Sequence, residues 1–292
     1  MIIALDIGGT KIATALVDGT DIVERRSATS TVLNDLAQLL PTISSLCQDW
    51  IKQADGVGVA CTGRVGDNEV HFLAAGADKI VPLKAQLFQE FGLPVVMLND
   101  AWAAAWAEYC LGNHTDAKTL VYITVSTGIG GGVIQNGKLL TSSTGFAAHL
   151  GHVTVPRANG NNLLCTCGRL NCAEAVASGS AIGRRASQLL GREVSCRDVF
   201  TLIDSCPELD PLLDDCATAV AELIANVTAM TGTDVVVMGG SVGLAEGFAS
   251  RVCEAIAALP DLYQVKLCSP ALGSDADLVG AALAIQDKLK QI

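Results

Sequence analysis

The most constraining part of the sequence is a seven-residue segment, Ser126–Gly132, that contains four glycines. A β-branched apolar run, Leu120–Val125, precedes it, and a second strand-like run, Val133–Gln135, leads to Asn136-Gly137, the strongest two-residue hairpin signal. The pattern therefore predicts a turn between two strands, with no helix after it. Because glycines let backbone N–H groups surround a small anion, this segment alone favours a phosphate-binding turn and an ordinary glycine-rich hairpin about equally.

Two common phosphate-binding loops are excluded at this segment. The Walker pattern GxxxxGK[ST] is absent from the chain. The dinucleotide pattern GxGxxG would need a glycine at the position of Val133 and a helix afterwards.

The N-terminus repeats the arrangement. Ile2–Leu5 reads as a buried strand, Asp6–Lys11 as a turn, and Ile12–Val17 as a second strand, which Asp18-Gly19 connects to a third strand at Ile22–Arg26. The order strand, glycine-rich turn, strand, Asp/Asn-Gly turn, strand thus occurs twice, and internal repeats determine architecture. Two copies facing one cleft would place two phosphate-binding turns on one nucleotide, which predicts a nucleotide-dependent kinase.

Composition limits the possible partners and compartments. The chain of 292 residues is long enough for one large or two ordinary domains, and its net charge of −11 argues against nucleic-acid and anionic-membrane partners. Charged residues interrupt every apolar stretch before it could span a bilayer, and Asp6 interrupts the first one, so no signal peptide is expected. The 11 cysteines are then expected to be reduced cytosolic thiols, with any clustered subset acting as metal ligands.

One such cluster is present. His152 is followed by three closely spaced cysteines, Cys165, Cys167 and Cys172. One imidazole and three thiolates suit a closed tetrahedral zinc, and this interpretation outweighs four unrelated loop residues. Four protein ligands leave no open position, so the site is predicted to be structural.

A candidate general base follows a strand in the first half. The run Pro94–Leu98 delivers Asn99 and Asp100 to the start of a helix predicted over Ala101–Leu111. Asp or Asn at a helix start is most often only an N-cap. Since phosphoryl transfer needs a carboxylate that accepts the hydroxyl proton, the two phosphate turns favour the catalytic interpretation.

Further patterns predict helices over Asp35–Lys52, Leu212–Thr231 and Ala276–Ile292. A buried strand ending at Gly63 would let a ligand approach the backbone closely. Gly239-Gly240, at a strand-to-helix turn, suits an adenosine contact and tight packing about equally.

Taken together, these motifs resemble the ROK sugar kinases of the actin-like ATPase superfamily over nearly the whole chain, and among them the bacterial kinases that phosphorylate N-acetylmannosamine. The residues that carry the resemblance are Asp6–Lys11, Asn99–Ala101, Ser126–Gly132, Gly151-His152, Cys165–Gly168, Cys172–Glu174 and Gly239–Gly247.

The resemblance implies an α/β fold of two actin-like (ribonuclease H-like) ATPase lobes with an inter-lobe cleft. The N-terminal lobe would comprise residues 1–118 with the C-terminal helix 276–292 packed back on it, and the C-terminal lobe residues 119–275. It also implies a cytoplasmic homodimer.

The activity implied is ATP-dependent phosphorylation of N-acetyl-D-mannosamine at the 6-hydroxyl, in sialic acid and amino sugar catabolism, with glucokinase or another hexose kinase as the alternative. A sugar-responsive repressor of the same family is less favoured, because its DNA-binding domain would have to precede Ile2–Asp6. A nucleotide-dependent clamp gives no reason for His149, Glu174 and the zinc cluster together.

By the same resemblance, Asp100 is the base, and Asp6 lies near Mg²⁺ through water. The residues implied to bind ATP are Ala4, Leu5, Asp6, Ile7, Gly8, Gly9, Thr10, Lys11, Gly128, Ile129, Gly130, Gly131, Gly132, Val133, Ile134, Gln135, Gly239 and Gly240. Those implied to bind the sugar are Gly63, Asn99, Asp100, His149, His152 and Glu174, and the zinc ligands are His152, Cys165, Cys167 and Cys172.

The chain departs from the family pattern in four places. Phe72–Asp78 replaces a loop that usually carries Asn-Pro, Asn171 replaces a glycine, and Val153–Leu164 is longer than in close relatives. His149 stands where glucose-type relatives have glutamate, which favours an N-acetyl sugar because imidazole can donate a hydrogen bond.

Overall fold

The computed structural model describes residues 1–30, 35–74, 77–114, 116–156 and 162–291. The chain divides into two compact units. Unit 1 consists of Met1–Asn113, Leu139–Ala147 and Leu272–Ile292, and unit 2 of His114–Lys138 and Ala148–Ala271.

The described residues form both strands and helices. The strands are β1 (Ile2–Ile7), β2 (Lys11–Asp18), β3 (Asp21–Thr29), β4 (Gly56–Cys61), β5 (Arg64–Val65), β6 (Val70–Ala74), β7 (Ala77–Val81), β8 (Val95–Asn99), β9 (Thr119–Val125), β10 (Ile129–Gln135), β11 (Lys138–Leu139), β12 (Val235–Gly239) and β13 (Lys266–Cys268). The α-helices are α1 (Leu39–Cys47), α2 (Leu83–Phe91), α3 (Asp100–Leu111), α4 (Ala173–Ala177), α5 (Gly179–Leu190), α6 (Cys196–Leu202), α7 (Asp210–Thr231), α8 (Phe248–Ala257) and α9 (Ala276–Leu289).

The two main sheets have the same strand order, which confirms the predicted repeat. One is ordered β3-β2-β1-β4-β8 and the other β11-β10-β9-β12-β13. In each, an antiparallel hairpin (β1–β2 or β9–β10) is extended by two parallel strands on the side of its first strand. A small third sheet, β5-β6-β7, belongs to unit 1.

The sheet of unit 1 is covered on both faces. Because side chains alternate along a strand, Ile3, Leu5 and Ile7 point into a core built with α1 and α2. Ile2 and Ala4 point to the opposite face, against α9. Asp6 follows these two in the alternation and therefore lies on the α9 face.

Local signals set several boundaries as predicted. Asn136 and Gly137 both have positive φ (50° and 74°), the conformation of a tight hairpin turn. The long helix α7 ends at Gly232, which adopts the left-handed conformation of a C-cap. No helix among the described residues is long and apolar enough to cross a membrane.

The helix predicted over residues 35–52 is shorter than expected. Only α1 is α-helical, with 3₁₀ turns at Leu36–Gln38 and Ile51–Gln53 on either side. Pro41 lies in the first turn of α1 and has no N–H to donate to the preceding turn, so the α-helix cannot extend further toward the N-terminus.

Candidate functional site

Two of the predicted acidic residues lie at one edge of the unit 1 sheet. Strands β1, β4 and β8 run parallel, with Asp6 paired to Ala60 and Cys61 paired to Asn99. Their carboxyl ends therefore meet at the same edge, and Asp100 follows at the start of α3.

Asn99, and not Asp100, is the N-cap residue of α3. Its side-chain oxygen accepts a hydrogen bond from the Ala101 N–H at 3.1 Å, and its amide donates to the Gly63 carbonyl, also at 3.1 Å. Gly63 has φ +94°, and a Cβ there would lie 2.5 Å from the His71 carbonyl oxygen, so only glycine fits. The Asp100 carboxylate, which accepts from the Ala101 N–H at 2.8 Å, is thus placed beside a cap that another residue supplies.

A third carboxylate, Asp277, reaches this edge and was not foreseen from the sequence. Helix α9 runs along β4: a Cβ on Gly56 would touch Ile285, and a Cβ on Gly58 would lie 2.0 Å from the Ala281 carbonyl. Two strand residues and one helical turn both advance about 6 Å. The next step along β4 reaches Ala60, the partner of Asp6, and the next turn of α9 reaches Asp277.

The crossing of α3 and α9 gives the same placement. A Cβ on Gly280 would lie 1.8 Å from the Ala103 carbonyl, so the two helices touch at that point. Three residues toward the N-terminus of each helix lie Asp277 and Asp100. We refer to Asp6, Asp100 and Asp277 as the acidic edge.

Burial makes these carboxyls more basic than ordinary aspartates. Burial, and then the nearby Asp100, raise the pKa of Asp6 to about 6, although Arg25 and Lys11 oppose the shift. Burial also raises the pKa of Asp100, against hydrogen bonds to its charged form that include the one from the Ala101 N–H.

The pKa of Asp277 is also raised. Burial is again the largest cause, followed by the charges of Asp6, Asp100 and Asp275, and holds it well above the usual range. Asp275 in turn forms an ion pair with Arg25. The carboxyl groups of the acidic edge therefore bind protons more readily than ordinary aspartates, which suits a role in accepting a proton from an alcohol.

In unit 2 we call the predicted phosphate turn, Ser126–Gly132, the glycine turn. Only its first three residues, Ser126–Gly128, connect β9 to β10, because Ile129–Gly132 already belong to β10 and pair with β9. Its first half is held by the start of α5, since the N–H groups of Gly179 and Ser180 donate to the carbonyls of Ser126 and Thr127 at 2.7 and 3.2 Å. The hydroxyl of Ser126 lies 3.1 Å from that of Ser241.

The second half is held differently. The N–H of Ile129 donates to Oε2 of Glu174 at 3.1 Å. A Cβ on Gly128 would lie 2.7 Å from the same oxygen, and a Cβ on Gly131 would lie 2.4 Å from Leu150 Cδ1. The absence of a side chain at these two glycines therefore makes room for Glu174 and Leu150. The sequence predicted phosphate binding for these glycines, and it did not predict this packing role.

The glycine pair Gly239-Gly240, at the end of β12, lies against the end of β9. A Cβ on Gly239 would lie 2.5 Å from the Tyr122 hydroxyl, and one on Gly240, whose φ is +87°, 2.3 Å from the Val125 carbonyl. Of the two open interpretations, tight packing accounts for both glycines without a ligand. The pair is nevertheless next to the glycine turn, because Val242 and Gly243 donate to Val125.

The other residues predicted to bind ATP lie in different surroundings: some are in the core, some in the N-terminal turn and some within β10. Side chains of five of them are in the core, with 2% exposure or less, namely Ala4, Leu5, Ile7, Val133 and Ile134. Gly8 closes the N-terminal turn by donating to the Lys11 carbonyl at 2.9 Å, with Gly9 and Thr10 between them. Gln135 is at the far end of β10, where its amide donates to the Thr231 carbonyl, and Gly130 and Gly132 lie within β10.

The four predicted metal ligands are brought together. His152, Cys165, Cys167 and Cys172 place one donor atom each within 4.8 Å of one another. Nδ1 of His152 is 3.6 Å from Sγ of Cys165, and the sulfurs of Cys167 and Cys172 are 3.6 Å apart. Around a tetrahedral zinc, bond lengths of about 2.0–2.3 Å place neighbouring donor atoms roughly 3.5 Å apart, so the donor set fits such an ion.

The segment that carries these ligands, residues 150–174, is hereafter the metal loop. Asn171 has φ +57°, so its left-handed conformation is the one expected for a residue that replaces glycine. Arg169 braces the loop by donating to the His152 carbonyl at 2.9 Å. In the longer stretch Val153–Leu164, residues 157–161 lie outside those described.

His149 and Glu174 flank the metal ligands. The rings of His149 and His152 are nearly parallel, with centroids 6.3 Å apart. Glu174 lies in the first turn of α4, two residues after Cys172. For Phe72–Asp78, Phe72 is a core residue, whereas residues 75 and 76, and the side chains of 73–78, lie outside the described part.

Comparison with known proteins places these features in a family. The sequence model of the ROK family matches residues 2–288. The N-acetylmannosamine kinase of Vibrio vulnificus (strain CMCP6) is 37% identical over 290 residues, 98% of this chain and 98% of that protein.

Solved structures agree over the whole length. The ROK hexokinase from Thermus thermophilus is 30% identical, with a TM-score of 0.87 over 100% of this chain and 99% of that one. A ROK family glucokinase from Streptomyces griseus, in complex with glucose and AMPPNP, is 28% identical, with a TM-score of 0.77 over 97% and 98%. Since the family model and these structures span nearly the entire sequence, the protein belongs to the ROK family and has the actin-like ATPase fold of its sugar kinases.

Proposed function

We propose that this protein transfers the γ-phosphoryl group of ATP to the 6-hydroxyl of N-acetyl-D-mannosamine. The observation that carries the proposal is the Asp100 carboxyl, which is held at the strand edge beside a helix cap that Asn99 supplies. Its raised pKa suits a general base, because a more basic carboxylate accepts a proton from an alcohol more readily.

In the proposed reaction Asp100 accepts the proton of the 6-hydroxyl as its oxygen bonds to the γ-phosphorus. The bond between that phosphorus and the β,γ-bridging oxygen breaks, and ADP leaves with the electron pair. Mg²⁺, bound with the nucleotide, would neutralise charge on the phosphate oxygens. Asp6, the nearest carboxyl to Asp100 on β1, would face the hydrated ion.

The nucleotide phosphates would be held by backbone N–H groups of the turns Gly8–Lys11 and Ser126–Gly132. Neither turn presents an arginine cluster, so N–H dipoles and the metal ion would supply the charge stabilisation. The Ile129 N–H donates to Glu174, so other N–H groups of the glycine turn would meet the phosphates.

The choice of sugar rests on two supports. Relatives named N-acetylmannosamine kinase are 35–38% identical to the chain over nearly its full length. His149 also offers a hydrogen-bond donor that a glutamate lacks, which an N-acetyl carbonyl could accept. Glucose is the second candidate, because a ROK glucokinase with bound glucose has the same fold. Gly63, Asn99, His152 and Glu174 would contact either sugar.

The metal loop is proposed to hold one structural zinc through His152, Cys165, Cys167 and Cys172. The geometry of the four donor atoms supports this, and three thiolates with one imidazole favour zinc over harder ions. A cytoplasmic homodimer stays a prediction, which sedimentation of the purified protein and fractionation of cells would check.

The test is a coupled ATP assay with N-acetylmannosamine, N-acetylglucosamine, glucose and mannose. We expect kcat/KM for N-acetylmannosamine to exceed that for glucose at least about tenfold, the scale of one buried hydrogen bond. A preference for glucose would support the hexose kinase alternative, and no turnover with any of the four would reject the proposal.

A further inference from the structure

The metal loop contacts the glycine turn on both sides of Ile129. On one side, the Glu174 carboxylate accepts the Ile129 N–H at 3.1 Å. On the other, Gly151 lies so close that a Cβ on it would be 2.1 Å from the Ile129 carbonyl oxygen. The metal loop therefore contacts both peptide groups of Ile129, one by a hydrogen bond and the other by close packing.

Each of these contacts is next to a metal ligand. Gly151 immediately precedes His152, and Glu174 follows Cys172 by two residues on the first turn of α4. An ion that joins His152 to Cys172 fixes the spacing between the two contacts. Without the ion, that spacing depends on backbone contacts such as the Ala173 N–H to the Val153 carbonyl (2.9 Å).

Two glycines of the turn provide the space that this contact needs. Gly128 leaves room for Glu174, and Gly131 leaves room for Leu150, which precedes Gly151. The first half of the turn depends instead on α5, through Gly179 and Ser180. Residues Ile129–Gly132 also pair with β9, so loss of the metal should disturb mainly Gly128 and Ile129, where the metal loop makes its contacts.

We propose that metal occupancy and nucleotide binding are thermodynamically coupled through the contact between Glu174 and Ile129. The inference rests on the proposed function, in that the glycine turn binds ATP and the metal loop binds zinc. It adds that Glu174 acts as a positioning residue for the nucleotide site, separately from any contact with sugar. Coupling is reciprocal, so the factor by which zinc tightens nucleotide binding is the factor by which nucleotide tightens zinc binding.

The experiment measures zinc release from the full-length protein to an excess of chromophoric chelator, with and without Mg²⁺ and a non-hydrolysable ATP analogue. Zinc content and binding of the analogue are measured separately on the same samples. For the wild type we expect the analogue to tighten zinc binding at least about fivefold, the low end of typical coupling, because α5 still holds half of the turn.

Three variants separate the contact from general effects. Glu174→Ala removes the acceptor and should reduce the factor to about one while zinc still binds, since Glu174 is not a ligand. Glu174→Gln keeps an oxygen that can accept from Ile129 and should keep most of the coupling. Glu254→Ala, an exposed glutamate on α8, makes the same change of charge away from the turn and should behave as wild type.

The outcomes separate failure of the proposed function from failure of the coupling. Protein that binds no zinc or no nucleotide overturns the proposed function, and this inference with it. A factor near one in wild-type protein that binds both overturns this inference alone. Full coupling in Glu174→Ala would overturn it as well, and should that variant not fold, the wild-type and Glu174→Gln factors still decide.

Discussion

The turn after β1 and the turn after β9 occupy equivalent positions in two sheets of identical strand order, yet the carboxyl groups around them are arranged differently. In unit 1, Asp6 precedes the turn and Asp100 and Asp277 join it at the sheet edge, so carboxyls with raised pKa values accumulate there. In unit 2, strand β9 ends in Val125, and the carboxylate that contacts the glycine turn, Glu174, accepts a backbone N–H.

The difference comes from what is packed against each edge. In unit 1 the N-terminal turns of α3 and α9 reach the sheet and bring their acidic residues with them. In unit 2 the metal loop and the start of α5 pack there and use the turn's own backbone groups. Under the proposed function, the sheet edge of unit 1 would supply the proton acceptor and the glycine turn of unit 2 would bind phosphate.

The largest expected effect comes from a substitution in the acidic edge of unit 1. Asp100→Asn should reduce kcat by roughly 10²–10⁴-fold, because the amide cannot accept the hydroxyl proton. Binding of an ATP analogue should change little, since Asn99 keeps the cap of α3. The measurements are steady-state kinetics and analogue binding, with Asp67→Asn, an exposed aspartate of unit 1, as control. Near-normal turnover and KM in Asp100→Asn would contradict the assignment.

The second-largest expected effect comes from removing a predicted metal ligand in unit 2. We expect about one zinc per chain in the purified protein, and Cys167→Ala should lower metal content, thermal stability and activity together. Metal analysis and thermal unfolding measure this, with exposed Cys253→Ala on α8 as the matched control. Active wild-type enzyme without zinc would show that the loop is held by its hydrogen bonds alone.

The third effect concerns sugar choice and is about tenfold. His149→Glu should narrow the preference for N-acetylmannosamine over glucose, because a carboxylate accepts from sugar hydroxyls and cannot donate to an N-acetyl carbonyl. The ratio of kcat/KM values for the two sugars measures it. If the ratio does not move while zinc content is normal, His149 only supports the metal loop.

Features with short-range signals were predictable from the sequence. Both hairpins, the Asn136-Gly137 turn and the end of α7 at Gly232 depend on residues adjacent in the chain. The four predicted metal ligands, from His152 to Cys172, also lie within one segment, so their spacing alone predicted that they cluster. Pro41 was an available signal for the shorter α1 that the apolar spacing concealed.

The features that were not foreseen depend on contacts between distant segments. Asp277 lies in the first turn of a helix that the sequence predicted. Its proximity to Asp6, however, follows from the packing of α9 along β4, and α9 is far from β1 in the sequence. Likewise, Gly128 indicated a phosphate turn, whereas its room for Glu174 depends on where the metal loop packs. Such register is set by tertiary packing and leaves no local pattern.

The smallest effect tests that unforeseen carboxyl and concerns stability. Because the pKa of Asp277 is raised in the folded protein, the folded state binds more protons than the unfolded state at pH values between the unfolded and folded pKa. The free energy of unfolding must therefore fall as pH rises through that window.

Asn has no charge to bury, so Asp277→Asn should stabilise the protein at pH 8 by about 1 kcal/mol or more, within the range of ordinary single substitutions. The gain should shrink toward pH 5, and urea unfolding at the two pH values measures it, with Asp67→Asn as the control. Destabilisation at pH 8, or a gain that does not grow with pH, would mean that folding does not raise the pKa of Asp277. The charge of Asp277 would then be compensated at the acidic edge, as Glu174 is compensated by the Ile129 N–H at the glycine turn.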